Sequence, residues 1–244
     1  MAQILEGRTV KEEIKKRLSK EVADIISAGK PAPKLVIIRI GNNAASKTYI
    51  AHKLKFAQAI GAEAVEEWRD ENVTTDEIVH LIEQLNADEL VHGILVQMPI
   101  PDHLDTQKII NTIDSKKDVD GLGAVSMHSL IMNLPGLRPA TVQGIITLCE
   151  FYKIELKGKR VLVIGRSLIV GKPLALELVN QNATVTIAHS HSKDIEVLAK
   201  EADIIMVATG QARLIQKEWV KPEHIIFDII ESKTASNIEL SFLN

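Results

Sequence analysis

One cysteine, Cys149, is all the thiol the chain contains. No intrachain disulfide can form from it and a thiolate-rich metal site is excluded, so a reducing, cytoplasmic setting is the expectation. Charge of one sign is equally scarce. The 29 lysines and arginines against 32 aspartates and glutamates leave a formal net charge of -3, which offers no general field for nucleic acid or anionic lipid. Any anion has to be met locally. Long apolar runs are missing as well: those around 161–164 and 225–227 are strand-length, and the first eight residues carry no apolar signal core. Neither membrane insertion nor export is expected. The eight histidines show no H-E-x-x-H or comparable spacing, so no metal is assigned, and no repeat or low-complexity tract is visible.

What is present is ordinary globular composition, 45% hydrophobic and 25% charged over 244 residues. That length suits two modest lobes or one large α/β domain. Val10, Ile14, Leu18, Val22 and Ile25 recur at spacings of three and four, which predicts an amphipathic helix over 10–27, stopped by Gly29 and Pro31. A buried strand over 35–40 ends at Gly41-Asn42-Asn43. Helices over 46–60 and from Thr74 to about 86 follow, then a strand over 93–97 that ends at Met98-Pro99-Ile100-Pro101. A short helix over 107–113 precedes a polar, turn-rich segment over 114–123, and low periodicity over 126–139 marks a connection between lobes. After a helix over 142–152, strands at 160–164, 184–188 and 204–208 alternate with helices at 172–181 and 194–201, a βαβαβ unit. Alternation of this kind means parallel sheets.

Five segments can carry chemistry. Val161-Leu-Val-Ile-Gly165-Arg-Ser-Leu-Ile-Val-Gly171-Lys-Pro173 reads as strand, glycine turn and helix. Glycines let backbone amides approach a ligand and a helix N-terminus offers N–H groups to phosphate, but the spacing is not G-x-G-x-x-G, and an ordinary strand-to-helix turn fits as well. After the next strand come His189, Ser190, His191, Ser192 and Lys193 with no carboxylate among them. A 2′-phosphate, and so NADP, suits that stretch better than NAD; a solvated polar loop is the other reading. Tyr49 and Lys53 lie four apart on one helix face, where a phenol beside a partly desolvated ammonium could move protons or merely face water. Gln97 sits where a parallel sheet places ligands, beyond a strand's carboxyl end, although it could equally satisfy a turn; Asp120 before Gly121 is also compatible with a tight turn. Cys149 falls on the apolar side of its helix, as a small core residue would.

Tyr49 and Lys53 in S-x-x-Y-x-x-x-K-x-K, Gly93-Ile-Leu-Val-Gln97-Met-Pro-Ile-Pro101, Lys117-Asp-Val-Asp120-Gly121-Leu122 and Gly165-Arg-Ser-Leu-Ile-Val-Gly171-Lys-Pro173 occur together, in this order. In order and spacing they resemble the methylenetetrahydrofolate dehydrogenase/methenyltetrahydrofolate cyclohydrolase family over roughly residues 1–228. The resemblance implies an α/β protein of two lobes: an N-terminal catalytic, folate-binding lobe over 1–138 and a Rossmann-type parallel-sheet NADP lobe over 139–244. It also implies a homodimer, NADP as cofactor and a folate as substrate. By the same resemblance Lys53 moves protons in the cyclohydrolase step and Tyr49 stacks near it. Gln97 orients the lysine and the folate, Asp120 hydrogen-bonds the pterin, and Gly165, Arg166, Ser167, Gly171, His189 and Ser190 meet the cofactor.

The chain departs from the family pattern in places. Pro139-Ala-Thr141-Val-Gln-Gly144 stands where the family has P-C-T-P-x-G, and the usual H-P-x-N is not kept around 127–133. Beyond Asp228 the family runs through D-V-G, G-D-V-D and P-V-P-G-G-V-G-P-M-T segments, whereas this chain reads Ile229-Ile230-Glu231-Ser-Lys-Thr-Ala-Ser-Asn237 and ends at Asn244. Because that loop borders nicotinamide and folate in the family, the expectation is a lobe truncated at its C-terminal end, with dehydrogenase turnover lowered more than cyclohydrolase turnover. A non-catalytic folate- or nucleotide-binding relative, or a regulatory partner, is the alternative.

Overall fold

The computed structural model describes residues 5–211 and 214–229, so the expected divergence beyond Ile229 lies outside the described residues. The chain divides into two compact units. One is Glu6–His128 with Pro135–Arg138; the other takes Ser129–Leu134 and the chain from Pro139 onward.

The first unit contains α1 (Gly7–Ser27), β1 (Lys34–Ile40), α2 (Ala44–Ile60), β2 (Glu63–Arg69), α3 (Thr75–Ala87), β3 (Gly93–Val96) and α4 (Thr106–Thr112), and most of α5 (Ala124–Ile131). Its three strands are parallel in the order β2-β1-β3. Central β1 is apolar on both faces, as a doubly covered parallel strand must be. Val36, Ile38 and Ile40 pack with Ile78, Ile82 and Ile109 of α3 and α4 on one side, while Ile37 packs with Ile50 of α2 on the other. Local chemistry sets the helix ends. Asn43 Oδ1 accepts the Ser46 N–H at 3.0 Å to start α2, and Gly61 at φ 81° ends it. Thr74 and Glu77 close a reciprocal capping box on α3.

Two elements escaped the sequence reading. Residues 63–69 are assigned no element in the sequence reading; β2 nevertheless pairs along its whole length with β1. It is an edge strand with no fully buried residue, held by the ladder and by an ion pair from the buried Arg39 to Glu66. Residues 126–139 were expected to be a connection, yet 124–131 are helical. The buried stripe of α5 is only Ser126 and Leu130, with Val125 and Ile131 exposed, so the hydrophobic periodicity is nearly invisible.

The second unit contains α6 (Ala140–Phe151), β4 (Arg160–Ile164), α7 (Gly171–Asn180), β5 (Thr184–Ala188), α8 (Ile195–Glu201), β6 (Ile204–Val207) and β7 (Ile225–Asp228). All four strands are parallel, in the order β5-β4-β6-β7. Val161 and Val163 of β4 face Val142, Ile146, Leu174 and Leu178 from α6 and α7, and Leu162 and Ile164 face the opposite layer with Ala199 of α8. Helices on both faces of a parallel sheet make this the doubly wound arrangement that the alternation predicts. Cys149 is buried in the α6 layer, and burial pushes its thiol up to about 11, so it is inert core.

Two glycines let β4 turn into α7. Gly165, at φ 126°, brings its Cα so close to Ala208 that a Cβ would stand 2.4 Å from that residue's carbonyl oxygen. A Cβ on Gly171 would stand 2.3 Å from the Gly165 oxygen. Backbone cannot yield as a flexible side chain can, so Gly171→Ala is expected to destabilise by about 3 kcal/mol. Gly144 in α6 meets nothing within 4 Å, and Gly144→Ala is expected to stabilise by about 0.5–1 kcal/mol through helix propensity. Denaturant unfolding of both variants tests the pair; equal effects would show that the crowding at Gly171 relaxes away.

Candidate active site

In the first unit Lys53 projects from α2 toward the carboxyl end of β3. Its Nζ donates to Gln97 Oε1 at 2.9 Å. Gln97 continues the sheet, its N–H donating to Ile38 O at 2.8 Å, and its Nε2 donates to Met98 O at 2.9 Å. With the amide nitrogen committed to that carbonyl, the amide oxygen has to face the lysine. Ser46, buried at the start of α2, donates its hydroxyl to the same Met98 oxygen at 3.4 Å and so ties the helix to the strand end.

Asp120 arrives from the loop after α4. Lys117 anchors that loop by donating its Nζ to the carbonyls of Leu85, Asn86 and Asp88 at 2.8–3.0 Å, where α3 ends. Ile94 N–H donates to Lys117 O at 2.7 Å, so the loop runs beside β3. Val119 fills the space over Gly93, where a Cβ would stand 2.6 Å from it. Gly121 then turns at φ 64°. The tight-turn reading of the Asp-Gly pair holds, and the turn is what presents Asp120.

Burial lowers the Lys53 amine below the ordinary lysine value, with the charge of Asp120 opposing that shift. Burial raises the Asp120 carboxyl, opposed by Lys53 and assisted by Asp118. Both members of the pair are displaced toward their neutral forms, which narrows the gap between them and makes proton exchange easier. Beside this pair, a cavity of about 530 Å³ runs along α2, with Tyr49, His52, Lys53 and Phe56 on one wall and Leu35 and Val119 opposite. Tyr49 is 42% exposed, and the Lys11 Nζ lies 5.8 Å from the Phe56 ring centroid. Tyr49 and Lys53 do share a face, as their spacing predicts, while Gln97 and Asp120 lie outside the cavity wall. Sequence reasoning missed Lys117 and Asp118, whose roles depend on chain segments that are remote in sequence.

In the second unit the turns after β4 and β5 leave the carboxyl ends of adjacent strands. Gly165 is buried and Arg166 to Ile169 are exposed. The Ser167 Oγ accepts the Val170 and Gly171 amides at 3.1 and 3.3 Å, so two of the N–H groups expected to be open at the start of α7 are capped by this side chain. His189 N–H donates to Ser192 Oγ at 3.0 Å and His191 N–H to His189 Nδ1 at 3.2 Å, which leaves Ser190 exposed at the tip of a closed turn. Glycine close approach, an exposed guanidinium and a carboxylate-free second turn together fit a phosphorylated nucleotide. Among the described residues no group of three or more His, Cys, Asp or Glu side chains is arranged to hold a metal, and no helix is long and apolar enough to cross a membrane.

Comparison with known proteins agrees with this geometry. Residues 5–120 match the tetrahydrofolate dehydrogenase/cyclohydrolase catalytic domain, and residues 139–241 match the NAD(P)-binding domain of that family, a match that continues past Asp228. The bifunctional protein FolD of Listeria innocua is 42% identical over 237 residues, 97% of this chain and 83% of that protein. FolD of Ligilactobacillus salivarius is 43% identical over 94% of this chain and 80% of its own length. The crystal structure of the Campylobacter jejuni FolD dehydrogenase/cyclohydrolase superposes with a TM-score of 0.95 at 35% identity, covering 99% of this chain and 87% of that one. The Trypanosoma brucei enzyme, solved with NADP and an inhibitor, gives 0.91 at 31% identity, with coverage of 99% and 87%. With both halves matched in order and the motif residues in place, the chain belongs to the tetrahydrofolate dehydrogenase/cyclohydrolase family.

Proposed function

We propose that Lys53, Gln97, Asp120 and Tyr49 form the folate site at which methylenetetrahydrofolate is oxidised and the methenyl product hydrolysed to formyltetrahydrofolate, with NADP held by the turns after β4 and β5. One observation carries the reading: a part-buried lysine, oriented by Gln97 and facing an aspartate, with both groups shifted toward neutrality. NADP, when bound, supplies the hydride acceptor for the oxidation. Gly165, Arg166, Ser167, Gly171, His189 and Ser190 would hold it, the glycines by admitting the diphosphate close to backbone and Arg166 with Ser190 by bonding the 2′-phosphate.

For the hydrolysis, neutral Lys53 takes a proton from water as the water oxygen bonds to the methenyl carbon. It returns that proton to the ring nitrogen as the carbon–nitrogen bond breaks, and the remaining hydroxyl proton leaves to solvent as the formyl carbonyl forms. Gln97 keeps the amine aimed while its own nitrogen stays on Met98 O. Asp120 hydrogen-bonds the pterin, and Tyr49 with the apolar cavity along α2 packs the aromatic part of the folate. We assign residues 1–138 to the folate lobe and 139–244 to the NADP lobe, a division supported by the change of compact unit between His128 and Pro139. A homodimer is supported by the edge of β2, where Trp68 is 45% exposed, because an open edge invites a partner. The small-molecule chemistry and the single buried thiol support a cytoplasmic setting. Nothing in the described residues favours a binding protein without turnover.

Lys53→Met is expected to abolish methenyl hydrolysis. Folded Lys53 titrates below its unfolded value, so between the two the unfolded chain binds more protons there and stability rises with pH through that window. Below the window the folded protein bears the full cost of a charged, part-buried amine, so in that pH range its removal should leave the melting temperature unchanged or raised. Hydrolysis at the wild-type rate in this variant would remove Lys53 from the reaction. NADP is expected to bind more tightly than NAD, with Arg166→Ala weakening NADP alone by about tenfold, the scale of one charge-assisted hydrogen bond. Titration calorimetry with both nucleotides checks this, and equal losses for the two would contradict it.

A further inference from the structure

Asp118 is among the most completely buried charged side chains of the chain, 2% exposed, and neither the family reading nor the proton-transfer scheme uses it. Among the described residues no cation pairs with it. Its carboxylate is met instead by three neutral donors: the Gly121 N–H on Oδ1 at 3.1 Å, and the Gly123 N–H and the Ser126 hydroxyl on Oδ2 at 2.9 and 2.7 Å. A buried carboxylate with no counter-ion is costly unless such donors replace its hydration, so the arrangement requires a return elsewhere.

The donors lie beyond Asp120 in the chain, and the carboxylate precedes it, so the three bonds close the backbone around Asp120. A side chain at Gly123 would crowd the carboxylate, since a Cβ would stand 3.0 Å from Asp118 Oδ2. The Asp118 backbone is bridged to Ile94 of β3, the strand that leads into Gln97, and Ser126 belongs to the first turns of α5. One side chain thus links the strand that orients Gln97, the loop that carries Asp120 and the helix that follows. Without it, a loop with glycines at 121 and 123 has little to define its path.

We propose that Asp118 is a positioning residue for the proton-transfer site, fixing the loop so that Asp120 faces Lys53. The proposal rests on the reading of Lys53 and Asp120 given above. The charges that bear on Asp120 are Lys53 from α2 and Asp118 from its own loop, with opposite effects. Replacing the Asp118 carboxylate therefore lowers the pH at which Asp120 titrates; because a loosened loop would hydrate Asp120 and act in the same direction, Ser126→Ala, which loosens the loop and keeps the carboxylate, is the comparison that separates the two.

The test uses the full chain in two variants, with Asp120 followed by carbon-13 NMR of labelled aspartate carboxyls and assigned through Asp120→Asn. Asp118→Asn is expected to move the Asp120 midpoint to lower pH and to reduce cyclohydrolase kcat by about tenfold, the scale of a displaced catalytic group. Ser126→Ala keeps the charge and loses one bond, so it should leave the midpoint in place and reduce kcat several-fold. A folded Asp118→Asn protein with an unmoved midpoint would overturn the proposal. If that variant does not fold, Ser126→Ala decides, and wild-type kcat in it would overturn the proposal instead. Wild-type hydrolysis by Asp120→Asn would sink the proton-transfer reading itself, while the titration shift in Asp118→Asn would still report on the positioning of Asp120.

Discussion

A lysine can hold its amine part-way out of water only where oxygen atoms are fixed to receive it, and in this protein much of the first unit is arranged to do so for Lys53. The Gln97 oxygen reaches it because the Gln97 nitrogen is engaged by Met98. Met98 is in place because Gln97 prolongs the ladder of β3 and Ser46 ties its carbonyl to α2. The charge of Asp120 bears on it because Lys117 clamps the loop to the end of α3 and Asp118 gathers the following amides. Lys117 and Asp118 are charged side chains, yet each is met by neutral backbone or hydroxyl partners within the first unit.

The two units use parallel sheets in the same way, with a buried central strand and chemistry at carboxyl ends, but they specify their sites differently. In the first, polar side chains from three chain segments converge on one amine. In the second, backbone shape does most of the work: Gly165 and Gly171 allow β4, β6 and α7 to approach to distances that any side chain would forbid. Ser167 holds two amides of the α7 start in the meantime, a hydroxyl occupying places suited to an anion.

Alternation, apolar runs and glycine punctuation were enough to read the parallel character of both sheets, with β4 and β5 found to the residue. The pairing of Tyr49 and Lys53 on one face followed from helical spacing alone. Three things did not follow. The β2 strand is specified by the ladder of its neighbour and by Arg39, not by its own burial, and so no element was assigned there. The α5 helix buries a serine and a leucine, a stripe too thin for periodicity to register. Asp118 lies within a motif that gives it no role, since the bonds that give it meaning go to residues whose position depends on the folded loop. Sequence patterns report burial that repeats along the chain; they do not report a single polar group satisfied from several directions.

The central claim is that the fold shifts the amine of Lys53 toward its neutral form through burial while Gln97 and Asp120 keep it aimed. Direct titration of that amine, by NMR of a protein carrying isotopically labelled lysine with Lys53→Met for assignment, tests it most plainly. The account predicts a midpoint below the ordinary lysine value, and one that falls further in Asp120→Asn, where the opposing charge is gone. A midpoint at or above the ordinary value, unmoved by that substitution, would contradict it.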